Sequence, residues 1–231
     1  MIGVNEAPLS GGRVTQGVVR VGDTVRRPRQ PNAPLVRALL GRLEELGLAF
    51  APRYLGVDAE GREMLSYLEG EVPDELDAGF SDATLAAAAR LIRRYHDVTA
   101  GSLLAAGCEV VCHGDLSPCN TVFRAGLPVA LIDFDNAAPG TRLDDLGYAL
   151  FLWLNLGTDG ADPAEQAGRM SVFCDAYGVA AGPAIVAAIS SAVAANIERL
   201  RAESRLADAE WWRAQLDWVE QNGATLAATG I

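Results

Sequence analysis

Polar residues that could carry out a reaction are concentrated between Val111 and Asn136, where they alternate with short apolar runs. Asp115 stands five residues before Asn120, and Asp133 follows after a further apolar stretch. Phosphoryl transfer needs oxygen ligands for Mg²⁺ beside a carboxylate that can orient and deprotonate the attacking hydroxyl. These side chains could supply both, so the segment is the candidate reaction centre. A turn rich in Asp and Asn, without chemical function, is the alternative.

A β-hairpin is expected to bring these side chains together. Apolar, β-favouring residues precede and follow the segment Ala125–Pro128, which is typical of a four-residue turn. In such a hairpin, pairing Arg124 with Val129 would place Asn120 opposite Asp133 at the open end of the two strands. The sequence therefore predicts that two side chains able to bind a metal face each other.

The spacing of His113, Asp115 and Asn120 resembles the catalytic loop of kinases, in which a second metal-binding Asp follows a short hairpin. The tetrapeptide His-Gly-Asp-Leu from His113 and the tetrapeptide Leu-Ile-Asp-Phe at 131–134 are similar to the aminoglycoside phosphotransferase and choline-kinase-like family. Further on, Asp145 in Asp-Leu-Gly resembles the acidic residue that steadies the catalytic loop in that family.

This resemblance implies a fold and a reaction. The expected fold is α+β and protein-kinase-like, with a small antiparallel-sheet lobe over 1–70 that binds nucleotide and a mostly helical lobe over 71–231. The implied reaction is phosphorylation of a small-molecule hydroxyl by ATP or GTP with Mg²⁺. The acceptor is expected to be an aminoglycoside-like or other cationic antibiotic, which would make the protein a resistance enzyme.

The resemblance also implies roles for individual residues of the loop and hairpin. They are a catalytic base, Asp115; two metal ligands, Asn120 and Asp133; and two residues that support the loop, His113 and Asp145. Asp135, two residues beyond Asp133, either faces the same site or caps the next turn.

The basic residues set this chain apart from the family, because all nineteen are Arg and the usual nucleotide-binding Lys cannot exist. A tight hairpin with Gly22 and Asp23 in its turn places Val25 and Arg27 on one face of the second strand. In the kinase pattern an apolar, adenine-lining residue precedes the Lys by two positions. Arg27 is therefore the candidate for the Lys role, with Arg26 as the alternative. An exposed Arg on an edge strand is the interpretation without function.

A helix over 34–46, ended by Gly47, is where kinases keep the Glu that pairs with this Lys. Counting back from Pro52, which resembles a family Pro that enters the next strand, puts that position near Val36. Both members of the usual ion pair are thus predicted to be altered.

Two further segments are candidates for nucleotide contact. The loop with Gly11 and Gly12 lies before the first hairpin, and glycine lets a backbone approach an anion closely. An ordinary turn is the other interpretation of this loop. Ser66, Tyr67 and Leu68 resemble the family hinge, where backbone groups contact the adenine edge.

Four helices are predicted after the hairpin, at about 144–156, 162–177, 183–205 and 208–222. The resemblance places the acceptor pocket between such helices and the catalytic loop. Seven acidic residues could line it for a cationic acceptor: Asp159, Asp162, Glu165, Asp208, Glu210, Asp217 and Glu220. Acidic helix surfaces are more often simply solvated, and the four Trp residues are expected to serve the core first.

Composition narrows the partners. The net charge of −11 argues against DNA or RNA and favours a cationic ligand. No segment is expected to span a membrane and no signal segment is evident, so we expect a cytoplasmic protein. The four cysteines lack paired spacing and are expected to be reduced, with Cys119 filling space in the loop. His96 is expected to be a hydrogen-bonded structural residue.

Two other functions stay open. One is a metabolite kinase of the choline, homoserine or fructosamine type. The other is a nucleotide-binding or immunity protein without catalysis, which is favoured by the altered Lys and Glu positions and by a looser resemblance to trifolitoxin immunity proteins.

Overall fold

The structure is a computed structural model that describes residues 6–9, 17–76, 79–157 and 160–228. The architecture is α+β, as expected from the sequence. The strands are β1 (Glu6–Pro8), β2 (Val19–Val21), β3 (Thr24–Arg27), β4 (Tyr54–Val57), β5 (Glu63–Ser66), β6 (Val110–Cys112), β7 (Thr121–Arg124), β8 (Leu127–Leu131) and β9 (Ala138–Gly140). The helices are α1 (Ala33–Glu45), α2 (Asp82–Thr99), α3 (Arg142–Leu154), α4 (Pro163–Tyr177), α5 (Pro183–Ala202) and α6 (Leu206–Leu226).

The first five strands form one antiparallel sheet in the order β1-β2-β3-β5-β4. The predicted Gly22-Asp23 turn joins β2 to β3, and Gly22 takes a positive φ of 59°, which a residue without Cβ adopts at little cost. Strand β3 lies in the middle of the sheet, so the interpretation of Arg27 as an exposed edge-strand residue is wrong. In the register of β3 with β5, Arg27 faces Glu63 directly.

Helix α1 packs one apolar face, made by Val36, Leu39, Leu40 and Leu43, into the core. The helix ends one residue earlier than predicted, and Leu46, the last residue of the predicted helix, is exposed. Gly47 follows at a φ of 68° and stops the helix as predicted, since its N–H reaches back to Glu44 O.

A short backbone bridge ties the segment after the sheet to the helical part of the chain. Glu71 and Phe123 exchange both backbone hydrogen bonds, at 2.9 and 2.7 Å. Gly70 has a φ of 146°, and a Cβ there would collide with Val122 and the Phe123 carbonyl. The chain therefore needs glycine to pass this close to β7.

The hairpin of β7 and β8 is present, but its register differs from the prediction. Ala125 and Gly126 both have positive φ, so they form a two-residue turn instead of four. With one irregularity further along, Thr121 pairs with Leu131, and Asn120 O accepts the N–H of Ile132 at 3.0 Å. The expected pairing of Asn120 with Asp133 was thus wrong by one residue.

Four helices follow the hairpin, close to the predicted bounds. Helix α5 packs between α3 and α6 and buries Ile185, Ile189, Val193 and Ile197. Helix α5 is long and apolar enough to cross a membrane by length and composition alone. This apolar character is also that of a helix between two others in a protein core.

Candidate active site

The loop from His113 to Asn120, the candidate catalytic loop, is fastened by one buried carboxylate. Asp145, in the first turn of α3, accepts hydrogen bonds from the backbone N–H groups of His113 (2.6 Å, Oδ2) and Gly114 (2.8 Å, Oδ1). Gly114 has a φ of 79°, and a Cβ there would collide with the Asn136 carbonyl. The loop path therefore depends on a glycine and on a carboxylate that receives two backbone donors at once.

Asp145 is itself held from behind by a second buried residue, His96 of α2. The His96 Nε2 lies 3.0 Å from Asp145 Oδ2, and its Nδ1 lies 2.7 Å from the Tyr177 hydroxyl. All three side chains are buried. His96 thus has the hydrogen-bonded structural place expected for it, and its contact with Asp145 links α2 to the catalytic loop.

The His113 ring serves the loop in another way. Its Nε2 donates to the Ile132 carbonyl at 3.0 Å, and the ring packs against Phe134 with centroids 4.5 Å apart. Burial lowers the pKa of this imidazole, so it is neutral at neutral pH. His113 therefore supports the loop and does not act as a charged group.

Asp115 follows this fastened segment and lies partly buried beside aromatic and basic neighbours. Burial raises the pKa of its carboxyl group, while the hydrogen bond from Asn120 and the charge of Arg199 oppose the rise. Burial also raises the pKa of the Tyr148 hydroxyl, and the adjacent negative charge of Asp115 raises it further. A carboxylate with a raised pKa is a better proton acceptor than a solvated one.

Asn120 and Asp133 lie at the open end of the hairpin. The Asn120 Nδ2 donates to the Asp115 carbonyl at 3.1 Å, which leaves its amide oxygen available as a ligand. Asp133 comes two residues after β8 ends and takes a left-handed conformation, with φ 63°. Burial raises its pKa to about 6, the charge of Asp135 adds to the rise, and Arg27 opposes it.

These oxygen donors fit Mg²⁺, which usually takes one or two protein carboxylates together with substrate phosphates. Among the described residues, no three His, Cys, Asp or Glu side chains gather into a group that could hold a metal alone. A metal at Asp133 and Asn120 would therefore need further oxygen ligands from a bound phosphate compound.

Arg27 reaches this site from the sheet. Its Nη1 lies 2.6 Å from Asp135 Oδ1 and 3.7 Å from Asp133 Oδ1. The contact with Asp135 is an ion pair whose angles do not fit a hydrogen bond. Its Nη2 donates to Glu63 Oε2 at 3.3 Å. Arg26 points to the opposite face, where its Nε lies 3.6 Å from Asp58. Of the two candidate arginines, the structure thus brings Arg27 to the catalytic side chains, and it places Asp135 there too.

Glu63 was missed by the sequence reasoning. A signal was available, because it is a charged residue at the start of a short strand that otherwise reads Met-Leu-Ser. Its partner could not be read from the sequence, since β3 and β5 are separated by a helix and by β4.

Residues 100–189 match the profile of the phosphotransferase enzyme family. The trifolitoxin immunity protein of Rhizobium leguminosarum bv. trifolii is 37% identical over an alignment of 185 positions, which covers 73% of this chain and 69% of that protein. The chain belongs to the phosphotransferase enzyme family.

Solved structures of low sequence identity share the protein-kinase-like fold of this phosphotransferase family member. APH(2″)-IIia, solved with GDP and kanamycin, matches at a TM-score of 0.61 and 15% identity over 95% of this chain and 93% of that chain. The aminoglycoside phosphotransferase APH(3″)-Id from Streptomyces rimosus, solved with ADP and streptomycin, gives 0.57 and 18% over 94% and 92%. The macrolide 2′-phosphotransferase from Brachybacterium faecium gives 0.56 and 17% over 86% of each chain.

The three candidate hinge residues, Ser66, Tyr67 and Leu68, differ in whether their backbone N–H groups are already hydrogen-bonded. Ser66 N–H donates to the Arg53 carbonyl, and Tyr67 N–H donates to the Asp23 carbonyl, both at 2.9 Å. Within the described residues, the backbone of Leu68 forms no hydrogen bond. Leu68 is therefore the one of the three with a backbone N–H available to a nucleotide base. Gly11 and Gly12 lie outside the described residues.

Four of the seven acidic residues that could line an acceptor pocket have other partners. Asp162 caps α4, Asp208 pairs with Arg205, and Asp217 and Glu220 both pair with Arg213. Asp159 lies outside the described residues, while Glu165 and Glu210 are exposed on α4 and α6.

The neighbour of Asp115 on α3 is aromatic: Tyr148, whose hydroxyl group interacts with the Asp115 carboxylate. Tyr148 stacks on Trp212 with centroids 6.0 Å apart and an interplanar angle of 7°. Trp211, which is 46% exposed, meets the edge of Trp212. Trp153 is fully buried and belongs to the core, as expected of the tryptophans. Tyr148 thus brings one aromatic ring next to Asp115, and the positive charge of Arg199 on α5 opposes the rise in the pKa of the Asp115 carboxyl group.

Proposed function

We propose that this protein transfers the terminal phosphoryl group of ATP or GTP to a hydroxyl of a small molecule, with Mg²⁺ as cofactor. The observation that carries the proposal is the fastened catalytic loop, in which Asp145 fixes the backbone before Asp115 and Asn120 bonds the Asp115 carbonyl. Membership of the phosphotransferase family supports it, as do the GDP and ADP complexes of proteins with this fold.

In this reaction the acceptor oxygen attacks the terminal phosphorus, and the bond to the bridging oxygen of the nucleotide breaks. Asp115 orients the hydroxyl and receives its proton, which its raised pKa favours. Asn120 and Asp133 would hold Mg²⁺ on the phosphates, where the metal offsets the negative charge of the leaving group. Arg27 would contact the phosphates from the sheet, and Leu68 would contact the base through its backbone.

The acceptor must reach Asp115, so its class is set by the side chains around that residue. Tyr148, which stacks on Trp212, places an aromatic ring beside Asp115, and Arg199 brings a positive charge. The net charge of −11 would attract a cationic acceptor at a distance, but these neighbours do not select for several positive charges. We therefore favour a hydroxyl compound with a flat or apolar face over a polycationic aminoglycoside.

The likeness to trifolitoxin immunity protein favours a biological role in immunity to a toxic compound. Such a role is compatible with phosphorylation of the toxin and also with binding that involves no catalysis. The two can be separated by challenging sensitive cells with trifolitoxin while they express either the wild-type protein or Asp115→Asn. Protection by wild type alone supports catalysis, and equal protection by both supports binding.

The direct test is nucleotide turnover in the presence of Mg²⁺ with a panel of acceptors. The panel should contain aminoglycosides, macrolides, choline, homoserine, fructosamines and aromatic alcohols, and phosphate on the acceptor should be detected by mass. Transfer to any hydroxyl supports the proposal, and the preferred acceptor tests the aromatic assignment. Nucleotide binding without transfer or hydrolysis across the panel would contradict it.

A further inference from the structure

Arg27, the cation of the proposed nucleotide site, pairs with a Glu from the sheet and not from a helix. Arg27 is 6% exposed and Glu63 only 1%, and the two face each other on neighbouring strands of one sheet. Their contact, Arg27 Nη2 to Glu63 Oε2, measures 3.3 Å. In protein kinases the corresponding Lys pairs with a Glu that comes from the helix. Here Val36, near the expected helix position, is buried among apolar residues.

Helix α1 contributes a positive charge near the position where protein kinases have the Glu. Arg37, the residue after Val36, donates from Nε to the other oxygen of Glu63 at 3.1 Å. Glu63 therefore bridges two arginines, and the group of three keeps one net positive charge (two Arg against one Glu). Removing Arg27 would still leave Glu63 with a partner, which limits the cost of such a substitution.

On the side away from Glu63, the Arg27 guanidinium faces two carboxylates of the candidate catalytic site. Its Nη1 lies 2.6 Å from Asp135 and 3.7 Å from Asp133, the proposed metal ligand. The guanidinium is thus shared between Glu63 in the sheet and two carboxylates at the candidate catalytic site, and its buried Nε has no hydrogen-bond partner among the described residues. Without the inner contact, attraction would draw Arg27 fully onto the outer carboxylates, where it would compete with a divalent cation.

We propose that Glu63 is a positioning residue that replaces the helix Glu of kinases and holds Arg27 at the distance needed to contact nucleotide phosphates beside the metal. This inference rests on the proposed function for its ligand, a nucleoside triphosphate with Mg²⁺. It assigns Arg37 to neutralising the second oxygen of Glu63 and to anchoring that carboxylate against α1.

The test is Glu63→Gln, which keeps the shape and removes the charge. ATP and GTP affinity should be measured by titration at several Mg²⁺ concentrations, alongside turnover. We expect nucleotide affinity to fall by roughly tenfold and the Mg²⁺ concentration for half-maximal binding to rise, because one charge-assisted contact is lost and Arg27 moves onto the metal ligands. The matched control is Asp58→Asn, which removes a carboxylate that pairs with Arg26 and Arg62 on the other face of the sheet. The control should stay within about twofold of wild type.

A double-mutant cycle separates positioning from a merely structural role. If Glu63 acts through Arg27, Glu63→Gln should change nucleotide affinity little in an Arg27→Ala background. Equal losses in both backgrounds, or an unchanged Mg²⁺ requirement in the single variant, would overturn the assignment. Should Glu63→Gln fail to fold, Glu63→Asp keeps the charge but shortens the reach, and it is expected to show the same raised Mg²⁺ requirement in weaker form. A wild-type requirement in Glu63→Asp would then overturn the proposal.

Failure of the proposed function would be recognised separately. A wild-type protein that binds nucleotide but transfers no phosphate contradicts the phosphotransferase reaction, while the binding cycle still decides the role of Glu63. A wild-type protein that binds neither ATP nor GTP overturns both.

Discussion

The catalytic loop and the Arg27 site face each other but are held in different ways. Asp145 holds the loop through the backbone N–H groups of His113 and Gly114, which are donors that nearly every residue type can supply. Within the part of the chain that the structure describes, the Arg27 guanidinium is held by side chains, with Glu63 as its buried partner. A hydrogen bond from a backbone N–H is kept when the residue that donates it is substituted, whereas an ion pair is lost when either of its two residues changes type. The loop therefore keeps its family pattern, and the Arg27 site can be rebuilt as a set of side chains.

The largest effect is expected at the base. Asp115→Asn should lower turnover by roughly 10²–10⁴-fold, because the amide cannot accept the hydroxyl proton. Nucleotide affinity should stay within about threefold, since no metal ligand is removed. Turnover and affinity should be measured on one preparation. Substantial residual turnover would show that the fastened loop serves some purpose other than placing this base.

Asp145→Asn tests whether one carboxylate holds the loop. The variant replaces an acceptor of two backbone hydrogen bonds by a group that offers one oxygen, and it should lower the free energy of unfolding by about 2–4 kcal/mol. Denaturant unfolding measures this change. Asp144→Asn is the neighbouring control, because Asp144 is an exposed member of the α3 capping box and should cost about 1 kcal/mol. Equal losses would remove the contrast between the two regions.

Arg27→Ala tests the side-chain-held region directly. Nucleotide affinity and turnover should weaken by roughly 10- to 100-fold, through the loss of one or two charge-assisted hydrogen bonds to phosphate. Arg26→Ala should do much less, because Arg26 pairs with Asp58 on the other face. Both should be titrated with ATP and GTP. If neither variant changes affinity, phosphate is held by the metal and other groups, and Arg27 is only a structural partner of Glu63.

The smallest effect concerns pH. Asp133 has a pKa of about 6, above its ordinary 3.8, so its ionised form is present above that pH and is lost as pH falls. Metal binding needs the ionised form, and Mg²⁺-dependent nucleotide affinity should therefore fall by about tenfold per pH unit below pH 6. Without metal the sign reverses. The folded state binds this proton more tightly than the unfolded chain, so this group adds stability as pH falls from about 6 toward 4.

The control for this pH dependence is Asp133→Asn, in which the titrating group is absent. Its weak Mg²⁺-dependent affinity should be flat across pH 5 to 7, within about twofold. Binding is the measured quantity because Asp115, whose pKa is also raised, would influence turnover. A wild-type affinity that does not change with pH would argue that the metal is not bound at Asp133.

The sequence predicted the loop better than it predicted the pairing of Arg27. The candidate catalytic residues lie within one local segment, so their spacing along the chain was enough to predict the loop, and the role of Asp145 was implied by the resemblance. The hairpin register was missed because Ala125 and Gly126 close the turn with two residues instead of four. The pairing of Arg27 with Glu63 depends on the register of two strands that are not consecutive, which no local pattern records.

The location of the Arg27 partner also bears on how activity could be controlled. In protein kinases, movement of the helix that carries the Glu makes or breaks the ion pair and so turns the enzyme on or off. In this chain both members of the pair belong to one hydrogen-bonded sheet, and a shift of α1 would remove only Arg37 from Glu63. We therefore expect the nucleotide site to be permanently assembled, with activity limited by the amount of protein and the supply of acceptor and not by a conformational switch.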